Sequence, residues 1–184
     1  FMQHTGTDAH YLDSAFQCLR GFRAAEMAKH GLGGEPNIQA MFDAIYKDDS
    51  IDAEQATEDL GNQWRFRGIG LKKYPCCYYT PRYIDALREL REKHDLSANH
   101  VETVEIDIGP VADEYVNRPG PDTTEDAKYS LQHLLGAVLI DDDIDYAQVT
   151  EAAIEDPVYR SARQKVHVTV DGRDDVPLAG TARV

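Results

Sequence analysis

Residues 101–108 read VETVEIDI, and their pattern decides the fold class. Val104, Ile106 and Ile108 fall on one side of an extended chain, with Glu105 and Asp107 on the other. That period-two alternation belongs to a half-buried strand. On its upstream side, Ile84, Leu87 and Leu90 carry helical spacing from Thr80-Pro81 to about His94. Thr80 is placed to cap this helix, and Pro81 suits its first position. On its downstream side, VADEYVNRPGPDTTED (111–126) reads as a Pro- and Gly-rich loop that closes in helix-start chemistry at Asp122–Asp126. A helix then runs from about Thr124 to Ile140 with Ala127, Leu131, Leu134, Leu135, Val138 and Leu139 inward. A shorter one covers Tyr146 to Ile154 and stops before Pro157. Val166, Val168 and Val170 give a second strand, Asp171-Gly172 a turn, and Leu178–Val184 a final strand. Mixed in this order, the elements predict an α+β unit from residue 60 onward, with helices covering one face of a small sheet.

Upstream of that unit the pattern is helical. Leu12, Ala15, Phe16, Leu19, Phe22 and Met27 recur at three- and four-residue spacing over residues 8–30, and Gly31, Gly33 and Gly34 supply the stop. Pro36 opens a second, shorter helix with Ile38, Met41, Phe42 and Ile45 on one face. Two helices joined by a Gly-rich turn form a helical hairpin of the type found inside all-α domains. The acidic run KDDSIDAEQATED (47–59) connects it to the rest, so the expected division is 1–59 and 60–184. The opening Phe1-Met2-Gln3-His4 enters almost directly into helix, as if cut from a longer chain.

The 184 residues are 42% apolar and 28% charged, which describes a soluble globular chain. No apolar run approaches the roughly 20 residues that cross a bilayer, and no basic-then-apolar leader opens the chain. The expectation is a cytoplasmic protein with no membrane partner. With 33 acidic against 19 basic residues, the net charge of −14 argues against nucleic acid, whose binding rests on neutralising phosphates. Cys18, Cys76 and Cys77 make no disulfide framework, and neither Cys-x-x-Cys nor His-x-x-x-His spacing occurs, so neither metal nor other cofactor is expected.

Within this acidic chain, LGNQWRFRGIGLKKYPCCYYTPRYI (60–84) carries Arg65, Arg67, Lys72, Lys73 and Arg82 and no Asp or Glu. Two readings stand: a basic surface loop paired to acidic neighbours, or a local pocket for a small polyanion such as a di- or tricarboxylate. Pro75 stiffens the backbone beside Lys72 and Lys73, so their ammonium groups are held rather than floppy. A fixed lysine binds carboxylate or, desolvated, acts as a base. Adjacent Cys76 and Cys77 flanked by aromatics read as small core residues more than as nucleophiles. Tyr115-Val116-Asn117-Arg118-Pro119 offers a proton donor, an amide and a guanidinium fork beyond a strand. His4-Thr5-Gly6 beside the first helix is a third candidate, while Lys128 and Tyr129 are explained by a helix surface.

Taken in order, His4-x-Gly6, Lys72-Lys73-Tyr74-Pro75-Cys76-Cys77, Tyr115-Val116-Asn117-Arg118-Pro119 and Lys128-Tyr129-Ser130-Leu131-Gln132-His133 resemble the MmgE/PrpD family. Its members include 2-methylcitrate dehydratases, cis-aconitate decarboxylases and iminodisuccinate epimerases. The resemblance implies a large helical domain and a smaller α+β lid, with the active site between them. Residues 1–59 would then end a helical-domain segment, and 60–184 would be most of the lid. It implies further helical sequence, supplied by the same chain or a second one, in a homo- or hetero-oligomer. Lys72 falls on the family's active-site lysine, Tyr115 on its active-site tyrosine in the decarboxylase branch, and His4 on the histidine of a Lys-x-x-His-x-Gly pattern. Lys73, Asn117, Arg118 and Cys77 would touch substrate. Phe1 stands where the pattern has Lys, Cys77 where the decarboxylases have His, and Pro81 where many members have His. The implied activity is a lyase on a small polycarboxylate. An epimerase of the same family, or a ligand-binding subunit without turnover, is the alternative.

Overall fold

The computed structural model describes residues 6–46, 52–170 and 181–183. Helices α1 (Ala9–Lys29), α2 (Ile38–Tyr46) and α3 (Ala53–Thr57) come first. They are followed by α4 (Pro81–His94), β1 (Val104–Ile108), α5 (Pro110–Val116), α6 (Thr124–Ala127), α7 (Leu131–Asp141), α8 (Glu151–Glu155), α9 (Pro157–Arg163), β2 (Val166–Val170) and β3 (Thr181–Arg183). Short 3-10 turns occupy Arg65–Gly68 and Tyr146–Val149. The fold is α+β, with helix predominant. It divides into two units: Asp13–Leu71, and the described parts of Phe1–Leu12 together with Lys72–Val184.

In the larger unit the sheet order is β2-β1-β3. β1 runs parallel to β2, with Val104 opposite Val166 and Ile108 opposite Val170. It runs antiparallel to β3, with Glu105 opposite Arg183 and Asp107 opposite Thr181. Val104, Ile106 and Ile108 are fully buried while Glu105 is exposed, so the alternation in VETVEIDI is realised. α7 is the other half of the core: every residue from Leu131 to Leu139 is buried. It packs against α4, α9 and β2. α4 contributes Tyr83, Ile84 and Leu87. Gly136 is what lets α7 and α9 meet, since a Cβ there would stand 2.6 Å from the Arg163 nitrogen and 2.8 Å from its Cα. Backbone cannot swing aside as a side chain can, so only glycine fits this crossing.

Several expected boundaries move. The loop expected over 111–126 contains α5, entered through Pro110 in the first turn. Local Pro and Gly density hid it, because proline at that position favours a helix rather than breaking one. The helix expected over 124–140 is interrupted at Lys128–Ser130: Thr123 caps α6 by accepting from the Asp126 N–H, and Ser130 caps α7 by accepting from that of His133. Pro157 does not end helical structure but starts α9, with the Asp156 side chain as cap. Thr80 precedes α4 but does not cap it through its side chain; its hydroxyl donates to the Cys77 carbonyl at 2.8 Å.

In the smaller unit α2 touches α3. α1 is one continuous helix, with Ala9–Leu12 grouped with the larger unit and the rest with the smaller, and it ends before Gly31, whose φ of +91° suits glycine. No residue of α1 is buried: Leu12, Phe16, Leu19, Phe22 and Met27 are all about half exposed or more. Among the described residues no helix is long and apolar enough to cross a membrane. Phe1, His4 and the Asp171-Gly172 turn lie outside the described residues, as do parts of the acidic connection and of the last expected strand.

Candidate active site

The segment Lys72–Thr80 is folded tightly on itself. Lys72 Nζ donates to the Cys76 carbonyl at 2.9 Å, and the Cys76 N–H reaches back to the Tyr74 carbonyl at 2.9 Å. Pro75 is the stiff link in this turn. The two lysines diverge in partner. Lys73 Nζ lies 2.5 Å from Asp85 Oδ1, and Tyr74 Oη donates to the same oxygen at 2.6 Å. That bond to Asp85, with help from Tyr74, holds the Lys73 ammonium above its usual pKa. Lys72 instead meets a neutral carbonyl, and no described acidic side chain is paired with it.

Cys76 and Cys77 are both buried. Burial pushes the Cys76 thiol up to about 11. Burial raises Cys77 as well, while backbone N–H groups and the charges of Lys72 and Arg118 pull the other way. Lys72 and Arg118, 46 positions apart in the sequence, therefore act on one thiol. Neither cysteine is a thiolate at neutral pH, so nucleophilic sulfur chemistry has no support here. The Cys77 N–H donates to the Lys128 carbonyl at 2.9 Å, which ties this segment to the α6–α7 junction.

Tyr115 sits in the last turn of α5, half-buried, with its ring stacked on Tyr79 at 5.5 Å between centroids and 20° between planes. Asn117 is turned inward: its Nδ2 donates to Asp113 Oδ1 at 2.7 Å, and its Oδ1 accepts from Gln132 Nε2 at 2.6 Å. Arg118 Nη1 pairs with Asp126, and its guanidinium lies 5.4 Å from the centre of the Tyr129 ring. Beside it Tyr11 Oη donates to Glu125 at 2.7 Å, and Lys128 pairs with the same carboxylate. Burial alone would lift the Glu125 carboxyl, but the Lys128 and Tyr11 bonds hold it below its usual value.

The structure thus ties Lys72 to the Cys76 carbonyl, Cys77 to the Lys128 carbonyl, Arg118 to the Tyr115 carbonyl and Asn117 to Gln132, and sends Lys73 to Asp85. His4 is outside the described residues, but Gly6 is packed on Arg118 Nη1. Sequence reasoning passed over Tyr79, Glu125, Asp126, Tyr129 and Gln132. The Lys128–His133 run was the available signal for two of these; helical periodicity concealed it by assigning Lys128 and Tyr129 to a helix surface. Among the described residues no group of His, Cys, Asp and Glu is arranged to hold a metal ion.

Residues 74–176 match the family model described as the MmgE/PrpD C-terminal domain. The chain belongs to the MmgE/PrpD family. The matched span includes Cys77, Tyr115, Asn117, Arg118 and Gln132. The chain is also similar to cis-aconitate decarboxylase of Mus musculus, 28% identical over 161 residues, covering 79% of this chain and 31% of that protein. Similarity to cis-aconitate decarboxylase of Homo sapiens is 25% over 175 residues, covering 91% of this chain and 36% of that protein. The chain spans about a third of the length of these curated relatives.

Proposed function

We propose that this chain carries part of the active site of a lyase that acts on a small di- or tricarboxylate. The observation that supports the reading is the Lys72 ammonium held on the Cys76 carbonyl at 2.9 Å in a chain of net charge −14, together with the half-buried Tyr115 ring stacked on Tyr79. Lys72 takes one substrate carboxylate. Breaking a C–H or C–C bond next to a carboxylate leaves negative charge on carbon and its neighbouring oxygens. Fixed cations stabilise that charge most where water is excluded. Tyr115 is the proton donor: no described residue occupies its hydroxyl, while stacking on Tyr79 fixes its ring. In a decarboxylation the C–C bond breaks, carbon dioxide leaves, and the carbanion takes the Tyr115 proton. In a dehydration the tyrosine protonates the departing hydroxyl. His4 is the candidate for the opposite proton transfer. The further helical sequence that completes the site comes from the same polypeptide or from a second chain, and the larger unit described here acts as a lid.

The similarity to cis-aconitate decarboxylases makes cis-aconitate the first substrate to test, and 2-methylcitrate the second. In the complete assembly, Lys72→Ala and Tyr115→Phe should each lower kcat/KM by about a hundredfold or more. Wild-type rates in both variants would remove these residues from the mechanism. Carboxylate binding that depends on Lys72, with no turnover of either substrate, would favour a ligand-binding subunit instead.

A further inference from the structure

The sequence suggests Arg118 as a carboxylate fork, yet its Nε and Nη1 are already engaged by other groups of the protein. Its N–H donates to Gln132 Oε1 at 3.1 Å, and its carbonyl accepts from Ser130 Oγ at 2.5 Å. Its Nε donates to the Tyr115 carbonyl at 3.0 Å, Nη1 is paired with Asp126, and the guanidinium covers the Tyr129 ring. Both partners of the ion pair are about three-quarters buried, with side-chain exposures of 25% and 24%.

Arg118 also meets Gly6. A Cβ at that position would stand 2.3 Å from Arg118 Nη1, 3.3 Å from its Cζ and 3.2 Å from Asp126 Oδ1. An arginine end ordinarily yields to an added methyl by rotating, but this one is fixed by Tyr115, Asp126 and Tyr129. Gly6 also has a φ of +82°, which a side chain would strain. The Gly6 turn and the guanidinium are therefore fitted to one another. His4 lies two residues before Gly6 in the chain, and Tyr115 supplies the carbonyl at the far side of the same guanidinium.

We propose that Arg118 is a positioning residue rather than a substrate ligand. With Asp126 it forms a buckle that fastens the Gly6 turn to the end of α5 and so fixes the last turn of α5, which bears Tyr115. The proposal rests on the lyase reading above. It predicts that loosening the buckle harms turnover far more than binding, because a small displacement of a proton donor costs rate while the carboxylate anchor at Lys72 is untouched.

The test uses the complete assembly with the substrate that the wild type turns over, and tricarballylate as an unreactive tricarboxylate probe. Asp126→Asn, Arg118→Lys and Gly6→Ala are expected to lower kcat by about tenfold or more, with KM and the tricarballylate Kd within about twofold of wild type. Lys72→Ala should weaken tricarballylate binding by about tenfold or more. Melting curves check that each variant is folded, and Gly6→Ala, which leaves every charge in place, carries the test if an Arg118 variant fails to fold. A tenfold loss of tricarballylate affinity in Arg118→Lys would make Arg118 a ligand and overturn the proposal. So would a wild-type kcat in Gly6→Ala or Asp126→Asn. If instead Lys72→Ala keeps both binding and turnover, the lyase site itself is misassigned and the buckle falls with it.

Discussion

α1 and α7 both carry apolar residues at helical spacing, and they have opposite fates. From Leu131 to Leu139, α7 is buried throughout and packs on α4, α9, β2 and the Tyr146–Val149 turn of the larger unit. α1 is 21 residues long and buries none of them. The periodicity that identifies the two helices is similar, and neither pattern says what covers the apolar side. Periodicity reports which face is apolar; burial depends on what the rest of the fold brings to it. Among the described residues of that stripe, Phe16 is 54% and Phe22 63% exposed.

The contrast can be broken most severely from the α7 side. Leu134→Ala removes a fully buried side chain and should destabilise the larger unit by about 2–5 kcal/mol. Urea unfolding followed by circular dichroism would measure it; a loss under about 1 kcal/mol would mean that α7 is less tightly packed than its burial indicates.

A second, smaller effect depends on pH. His133 in α7 is fully buried, with Nε2 donating to the Gln148 carbonyl at 2.7 Å. Burial pulls its pKa down; the Gln148 carbonyl opposes this, and the charge of Arg163 adds to the lowering. The folded chain therefore resists protonation at pH values where the unfolded chain, at about 6.5, accepts it. Stability from the neutral imidazole is complete above about pH 6.5 and is lost as the pH falls below it, by at most about 1.4 kcal/mol per pH unit. Melting temperatures from pH 8 to 5 should fall more steeply in the wild type than in His133→Gln; equal slopes would rule this histidine out as the cause.

The smallest effect belongs to α1. Phe16→Ser should change stability by no more than about 0.5 kcal/mol in the chain alone, because little apolar area is removed from water there. A thermal melt that fell by several degrees would show that the stripe is covered in solution, and the difference between the two helices would disappear.

What could be read from the sequence follows the same division. The strand at Val104–Ile108, the long first helix and the inward face of α7 were legible because each is a local period. α5 and α9 were not: the Pro and Gly of 119–121 give 111–126 the composition of a loop, and Pro157 reads as a helix stop although it is a first-turn residue. For the site, the sequence supplied Lys72, Cys77, Tyr115 and Arg118 as residue types worth attention. It could not pair them, because Lys73 with Asp85 and Arg118 with Asp126 are ties made by folding, chosen among many acidic residues. The cationic window was likewise read as one stretch, yet Leu60–Leu71 groups with the smaller unit and Lys72 onward with the larger.

The bond from Lys72 to the Cys76 carbonyl has one more consequence. An ammonium group has three N–H donors set as a tripod about the Cε–Nζ bond. One leg rests on that carbonyl at 2.9 Å, which stops the tripod from spinning and leaves two legs at fixed azimuth. A carboxylate that settles on those two is received at a set angle, so a lysine anchored in this way gives orientation, which a freely rotating one does not.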